Sequence, residues 1–140
     1  LQHGGFYKLP LAWGSDDISA LIGASKNGVA NTQIPVFQYR INSQTISNTG
    51  DISEKMNAIL LAYKWENDFL SKKLEHQQDE LYRMDILRKI AHAYQKTCGQ
   101  TIAADIKCKA LRRILYWLAN RKKYNISLKT LLYAMAQSWK

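Results

Sequence analysis

The side chains of this chain that could do chemistry are mostly cations, and they lie towards its C-terminus. Residues 101–140 contain nine Lys and Arg against one acid, Asp105, whereas residues 51–100 contain eight charges of each sign. A surface with one sign of charge attracts polyanions, of which nucleic acid is the commonest. The chemistry expected is therefore binding, through cations that share one face of a helix.

A helix over residues 102–123, drawn at 100° per residue, separates into two faces. The face expected to pack on the core is apolar and comprises Ile106, Ala110, Leu111, Ile114, Leu115, Trp117 and Leu118. The opposite face carries three cations and an aromatic ring within two turns: Lys109, Arg112, Arg113 and Tyr116. Such cations could follow successive phosphates while the ring stacks on a base or a sugar. With the neighbouring cations, the predicted nucleic-acid-binding set is Lys107, Lys109, Arg112, Arg113, Tyr116, Arg121, Lys122 and Lys123.

Backbone contact is favoured over sequence readout, because this face lacks the mixture of Asn, Gln and Ser that reads base edges. One alternative is a dimeric helix-turn-helix-like DNA-binding regulator, in which a turn at Gly99 precedes a recognition helix over residues 102–123. Another is a protein-interaction scaffold domain whose basic face meets an acidic partner. Both alternatives remain open from the sequence.

Groups that could catalyse a reaction are sparse. Gly14-Ser15-Asp16-Asp17 places two carboxylates side by side, as metal-dependent phosphoryl transfer requires, and looks like the Gly-Gly-Asp-Asp turn of polymerase and cyclase palm domains. A palm needs further acids, however, and residues 1–50 contain no other. The favoured interpretation is a helix start, capped by Ser15, with both acids in the first turn. The sequence therefore predicts no enzyme, no catalytic residue, no metal site and no cofactor.

Helices must position these groups, because the chain contains no proline after residue 50 and only one glycine, Gly99. Asp51 with Glu54 predicts a helix start, and Asn125 or Ser127 predicts the start of the last helix. Gly99 predicts a helix end, with Thr101 opening the next helix, which should last to about Lys123. The expected fold is all-α, a small bundle of four to five helices over about residues 52–140.

Residues 1–50 are predicted to be an irregular N-terminal arm beside the helical domain of residues 51–140, since they hold six of the seven glycines and both prolines. The arm has room for one short helix, with Ile18, Leu21 and Ile22 on one side, and for one extended segment at residues 34–41. In the helical domain, Tyr63 and Trp65 are expected to make a subunit contact.

Composition places the chain among globular proteins of a reducing compartment. The apolar runs are too short to span a bilayer, and no basic-then-apolar leader opens the chain. Two cysteines, Cys98 and Cys108, without a CxxC pattern favour buried thiols over a disulfide framework. We expect a cytoplasmic protein with no membrane partner.

A short, basic, helical chain with backbone-type cations resembles the small subunit of multi-subunit CRISPR effector complexes. The resemblance covers residues 51–140 in architecture and charge. It implies a non-catalytic subunit of a ribonucleoprotein complex that holds a target or displaced strand, contacts other protein subunits and associates with itself in several copies. In some systems such a subunit resembles the C-terminal part of the polymerase-like large subunit, and Leu1 and the Gly14–Asp17 segment are consistent with that origin.

Overall fold

The fold is seen in a computed structural model, which describes residues 7–28, 51–72 and 77–139. A 3₁₀ turn at Pro10–Ala12 precedes four helices: α1 (Ser15–Asn27), α2 (Ile52–Ser71), α3 (Gln77–Asn120) and α4 (Leu128–Ser138). No strand occurs in these ranges, so the predicted all-α class is confirmed. The extended segment predicted at residues 34–41 lies outside the described residues.

The predicted helix starts at Asp51 and Ser127 are confirmed. The Asp51 carboxylate accepts hydrogen bonds from the backbone N–H groups of Ser53 and Glu54, at 3.0 and 3.3 Å. The Ser127 hydroxyl accepts one from the N–H of Thr130 at 3.0 Å. Both side chains satisfy donors that the first turn of a helix leaves without a partner.

Helix α1 is the predicted short helix of the arm, but the prediction that Ser15 caps it is wrong. The capping position is Gly14, whose φ of 80° lies in the left-handed region, and no side chain caps the helix. Glycine adopts that conformation without strain, so the chain can turn sharply into α1. Ser15 is instead the first helical residue and is buried.

The prediction that Gly99 ends a helix is also wrong, because α3 continues through it to Asn120. Gly99 is buried where α4 crosses α3, and a Cβ atom there would lie 3.2 Å from the Tyr133 ring and 3.4 Å from the Thr130 methyl. The glycine therefore allows two helices to approach closely, at a modest cost in helix propensity.

Helix α3 is long but not straight. The Trp117 indole N–H donates to Asp105 Oδ2 at 2.7 Å, although a straight helix would separate these residues by about 18 Å along its axis. The Tyr94 hydroxyl likewise donates to the carbonyl of Tyr124, four residues beyond the helix end. The axis therefore bends sharply between Asp105 and Arg113. We call residues 77–107 the first arm of α3 and residues 111–120 the second arm, which folds back along the first.

The bend makes a bundle of four packed helical segments: α2, the two arms of α3, and α4. The residues between the second arm and α4 return the chain to the first arm, where Gln95 Nε2 donates to the Asn125 carbonyl at 2.7 Å. Helix α4 then runs beside the first arm from Gln95 towards Ile106, whose end of the bundle also holds Ser138 and Trp139. The four segments enclose the core.

The core lies where α2 and the second arm of α3 meet the first arm. Its fully buried large side chains include Met56, Ile102, Ile106, Trp117 and Tyr124. Tyr63 of α2 stacks on Tyr94 of α3, with 4.2 Å between ring centroids. In the parts of the chain that are described, no helix has both the length and the apolar character needed to cross a bilayer.

Candidate nucleic-acid interface

The bend in α3 is closed by a single carboxylate. Asp105 Oδ2 accepts hydrogen bonds from Arg113 Nε at 2.6 Å and from the indole N–H of Trp117 at 2.7 Å. The Asp105 and Arg113 side chains are only 12% and 20% exposed. The Arg113 guanidinium also lies over the Tyr116 ring, 4.3 Å from its centroid. One acid thus neutralises one cation inside the bundle, in partly dehydrated surroundings where the attraction is stronger than in water.

This arrangement corrects two of the predicted site residues. Arg113 and Tyr116 were expected on the exposed face, but Arg113 is paired with Asp105 and Tyr116 is half-buried against the core. One face of the Tyr116 ring is covered by the guanidinium, and the ring meets Trp117 edge-on at 5.0 Å. The reason is the bend, which turns this side of the second arm towards the first arm.

Most of the other predicted cations lie on the surface. Lys107, Arg112, Lys122 and Lys123 are exposed, and Arg121 is half-buried. The Lys123 ammonium lies 5.0 Å from the centroid of the Tyr124 ring. The side chain of Lys109 is outside the described residues. The exposed cations stand at the two ends of the second arm, rather than along one continuous stripe.

Between them, the exposed face of the second arm is apolar. Leu111, Leu115 and Leu118 are 70%, 58% and 46% exposed, which contradicts the expectation that they pack on the core. They follow one another at helical spacing, and we call them the leucine stripe. The prediction is confirmed for Ile106 and Trp117, which are buried, and for Ile114, which packs against the core, and it is wrong for the three leucines.

The sequence reasoning missed two further cations, Lys96 and Lys129. His92 and Lys96 of the first arm face Lys129 and Tyr133 of α4 across a groove of about 560 Å³. Lys96 was overlooked because it precedes residue 101, where the concentrated positive charge begins. The spacing of Lys129 and Tyr133, one helical turn apart on the last helix, was a usable signal.

The carboxylates of Asp16 and Asp17 occupy the first turn of α1, as in the favoured interpretation of that motif. Burial raises the pKa of Asp17, and the neighbouring Asp16 raises it further. Burial also raises the pKa of Glu66 on α2, with a smaller contribution from Asp17. Among the described residues, no three His, Cys, Asp or Glu side chains come together as metal ligands would.

Other groups singled out in the sequence have partners inside the fold. Tyr63 stacks on Tyr94, and Trp65 stacks on Phe69 at 5.0 Å and contacts Tyr7 at 5.6 Å. Large apolar side chains that are more exposed lie elsewhere, among them Leu81, Trp139 and the leucine stripe. Cys98 is fully buried, and burial raises the pKa of its thiol to about 11.

No protein-family model, no curated protein and no solved structure matches this chain. Its function must therefore be inferred from its own residues and their geometry.

Proposed function

We propose that this protein is a non-catalytic nucleic-acid-binding subunit that holds a polyanionic backbone against the cations of its C-terminal bundle. One observation supports the proposal above the others. Residues 86–139 contain eleven Lys and Arg and one acid, Asp105, and that acid is buried against Arg113. The segment contains no second carboxylate, and of its ten remaining cations Lys89 pairs with Asp85, which lies just before the segment.

A solvated surface ordinarily mixes both signs of charge, which limits the field that it projects. In residues 86–139 the one acid neutralises a buried cation and contributes little to the outer surface. Cations that contact phosphates release condensed counterions, so affinity should fall steeply as salt rises. The helix-turn-helix alternative loses its turn, because α3 is helical through Gly99.

The test compares two triple variants that remove equal charge. The first changes Lys107, Arg112 and Lys123 to Gln, and the second makes the same change at Lys8, Lys64 and Lys72, which are exposed and lie outside residues 86–139. If the three bundle cations each contact one phosphate, the slope of log affinity against log salt should flatten by about 2 to 3 in the first variant only. Equal slopes in both variants, or no binding of single- or double-stranded nucleic acid by the wild type, would refute the proposal.

The more specific role, a small subunit of a CRISPR-type ribonucleoprotein complex in the cytoplasm, remains part of the proposal and is supported by the resemblance in architecture and charge. Its test is copurification: the protein produced with its genomic neighbours should elute with other subunits and a guide RNA. Recovery of the protein alone, free of RNA, would count against this role and leave backbone binding itself standing.

The leucine stripe favours a protein contact in addition to nucleic-acid binding. Its three side chains form an exposed apolar patch beside the cations Lys107 and Arg112, as surfaces that contact another protein often do. Light scattering of the wild type and of a Leu111→Ser, Leu115→Ser variant checks this. If the mass of the wild type rises with concentration and that of the variant does not, the protein associates with itself through the stripe. Equal masses for the wild type and the variant would contradict this.

A further inference from the structure

A groove between the first arm of α3 and the start of α4 has a rigid polar floor. Gln95 Oε1 accepts hydrogen bonds from the Ser127 N–H at 3.1 Å and from the Thr130 hydroxyl at 2.6 Å. Gln95 Nε2 donates to the Asn125 carbonyl at 2.7 Å, and Thr130 N–H donates to Ser127 Oγ. These polar groups bond to one another, so the two walls are fixed before any ligand enters. Recognition therefore falls to the rim.

The rim combines cations with an aromatic ring. Lys96 and Lys129 are exposed on opposite walls, beside His92 and Tyr133, and no carboxylate lines the groove in the part of the chain that the structure describes. Tyr133 is 44% exposed. Its position depends on Gly99, since a Cβ atom there would lie 3.2 Å from Tyr133 Cδ1. The ring is thus held against the helix beneath it, with part of its surface open to a ligand.

The ligand that fits has a flat apolar part and a negative charge. A groove of about 560 Å³ lies within the usual range for small-molecule sites, about 300–1,000 Å³. Bases stack on aromatic side chains without regard to sequence, while lysines hold the adjoining phosphates. Inorganic phosphate alone would make no contact with the ring or with the apolar part of the lining. A duplex keeps its bases stacked inside the double helix, where they cannot stack on Tyr133.

We propose that this groove receives one unpaired nucleotide of a single strand, with its base on Tyr133 and its phosphates between Lys96 and Lys129. The inference rests on the proposed function and deepens it, because it names the form of nucleic acid that the bundle prefers. The cations of the outer surface serve any polyanion, whereas the groove distinguishes a single strand from a duplex.

The test measures binding of a labelled single-stranded oligonucleotide of about 12 nucleotides and of the matching duplex. Tyr133→Leu should weaken single-strand binding by about tenfold and leave duplex binding unchanged. The matched control is Tyr82→Leu, which removes a tyrosine that is 65% exposed at the far end of the first arm. A second variant, Lys96→Gln with Lys129→Gln, should also affect the single strand more than the duplex, and it leaves the packing of the ring intact.

Each outcome decides between the two proposals. If the wild type binds both nucleic acids and Tyr133→Leu behaves as Tyr82→Leu does, the groove inference fails and the proposed function stands. If the wild type binds neither, the proposed function fails with it. Poly-glutamate serves as a competitor for the groove. If Tyr133→Leu weakens the binding of poly-glutamate as strongly as it weakens the binding of the single strand, the groove belongs to an acidic peptide and the inference is overturned.

Discussion

Removing the Asp105 carboxylate should open the bend in α3 and destabilise the bundle. The Asp105→Ala variant loses a charged hydrogen bond to Arg113 and leaves the Trp117 indole N–H buried without an acceptor. Hydrogen bonds to charged groups contribute about 1.5–3 kcal/mol, and an unsatisfied buried donor costs about 1–3 kcal/mol. The Arg113 guanidinium keeps its contact with the Tyr116 ring, and its side chain is 20% exposed to water. Both facts favour the lower part of the sum of these two costs. The expected loss in the free energy of unfolding is about 3 kcal/mol.

The Asp105→Asn variant separates the charge from the hydrogen bonds. An amide oxygen in the same place still accepts from Trp117, so the loss should be smaller, about 1–2 kcal/mol. Urea denaturation followed by far-ultraviolet circular dichroism measures both variants. The matched control is Asp85→Ala on the same helix, whose pair with Lys89 is exposed at the surface and should leave stability unchanged.

The two Asp105 variants also test the proposed function. Both variants raise the net charge of the protein by one unit, because they remove the carboxylate that neutralises Arg113. The affinity for a polyanion should therefore not fall when it is measured under conditions in which the variants stay folded. An Asp105→Ala variant less than about 1 kcal/mol below the wild type would refute the claim that this carboxylate closes the bend. A variant that stayed folded and lost nucleic-acid binding would refute the account of its charge.

Three further predictions concern other parts of the fold. Gly23→Ala, where nothing lies near the added Cβ atom, should stabilise the protein by about 0.5–1 kcal/mol, and Gly99→Ala should gain less because its Cβ atom meets Tyr133; equal gains in urea denaturation would contradict close packing at Gly99. Glu66→Gln should raise thermal stability at neutral pH, because a raised pKa means that the folded state binds the proton more tightly and the ionised carboxylate opposes folding. The gain should vanish as the pH falls below the ordinary pKa of glutamate, and it should exceed that of Asp68→Asn, an exposed position on the same helix. In a Cys108→Ser background, Cys98 should react with a thiol reagent at pH 8 only as fast as the protein unfolds, since its thiol is buried with a pKa of about 11; rapid labelling of the native protein would contradict this.

Local signals predicted the helix starts at Asp51 and Ser127 but wrongly placed a cap at Ser15 and a new helix at Thr101, and contacts between distant residues explain the bend that they missed. Asp51 and Ser127 act within one turn, so their neighbours suffice to identify them. The bend in α3 depends on Asp105 meeting Trp117, and on Tyr94 meeting a carbonyl that lies 30 residues later. A straight helix would place neither pair in contact, so the periodicity of the sequence does not reveal the bend.

The candidate site shows the same limit. A helical wheel separates an apolar face from a cationic one, but the fold turns inward residues of both, since Ile114 and Trp117 of the apolar face also pack in the core. Here Arg113 and Tyr116 lie inside because a carboxylate and an aromatic cluster receive them, and the leucine stripe lies outside. The concentration of positive charge needed no structure to be seen, whereas its neutralisation at Asp105 did.

The positive surface is short, and its length leads to a last prediction. The acid-free stretch of the first arm from His92 to Lys107, apart from the buried Asp105, extends about 22 Å, and residues 77–85 at the start of the same arm carry three acids against one cation. A polyanion held along this stretch is therefore repelled from the start of α3, which limits one copy to a short stretch of strand. Titration by native mass spectrometry should show one copy on a strand of about 8 nucleotides and additional copies as the strand lengthens. A stoichiometry that stays at one copy on a strand several times longer would show that the strand follows some other path over the protein.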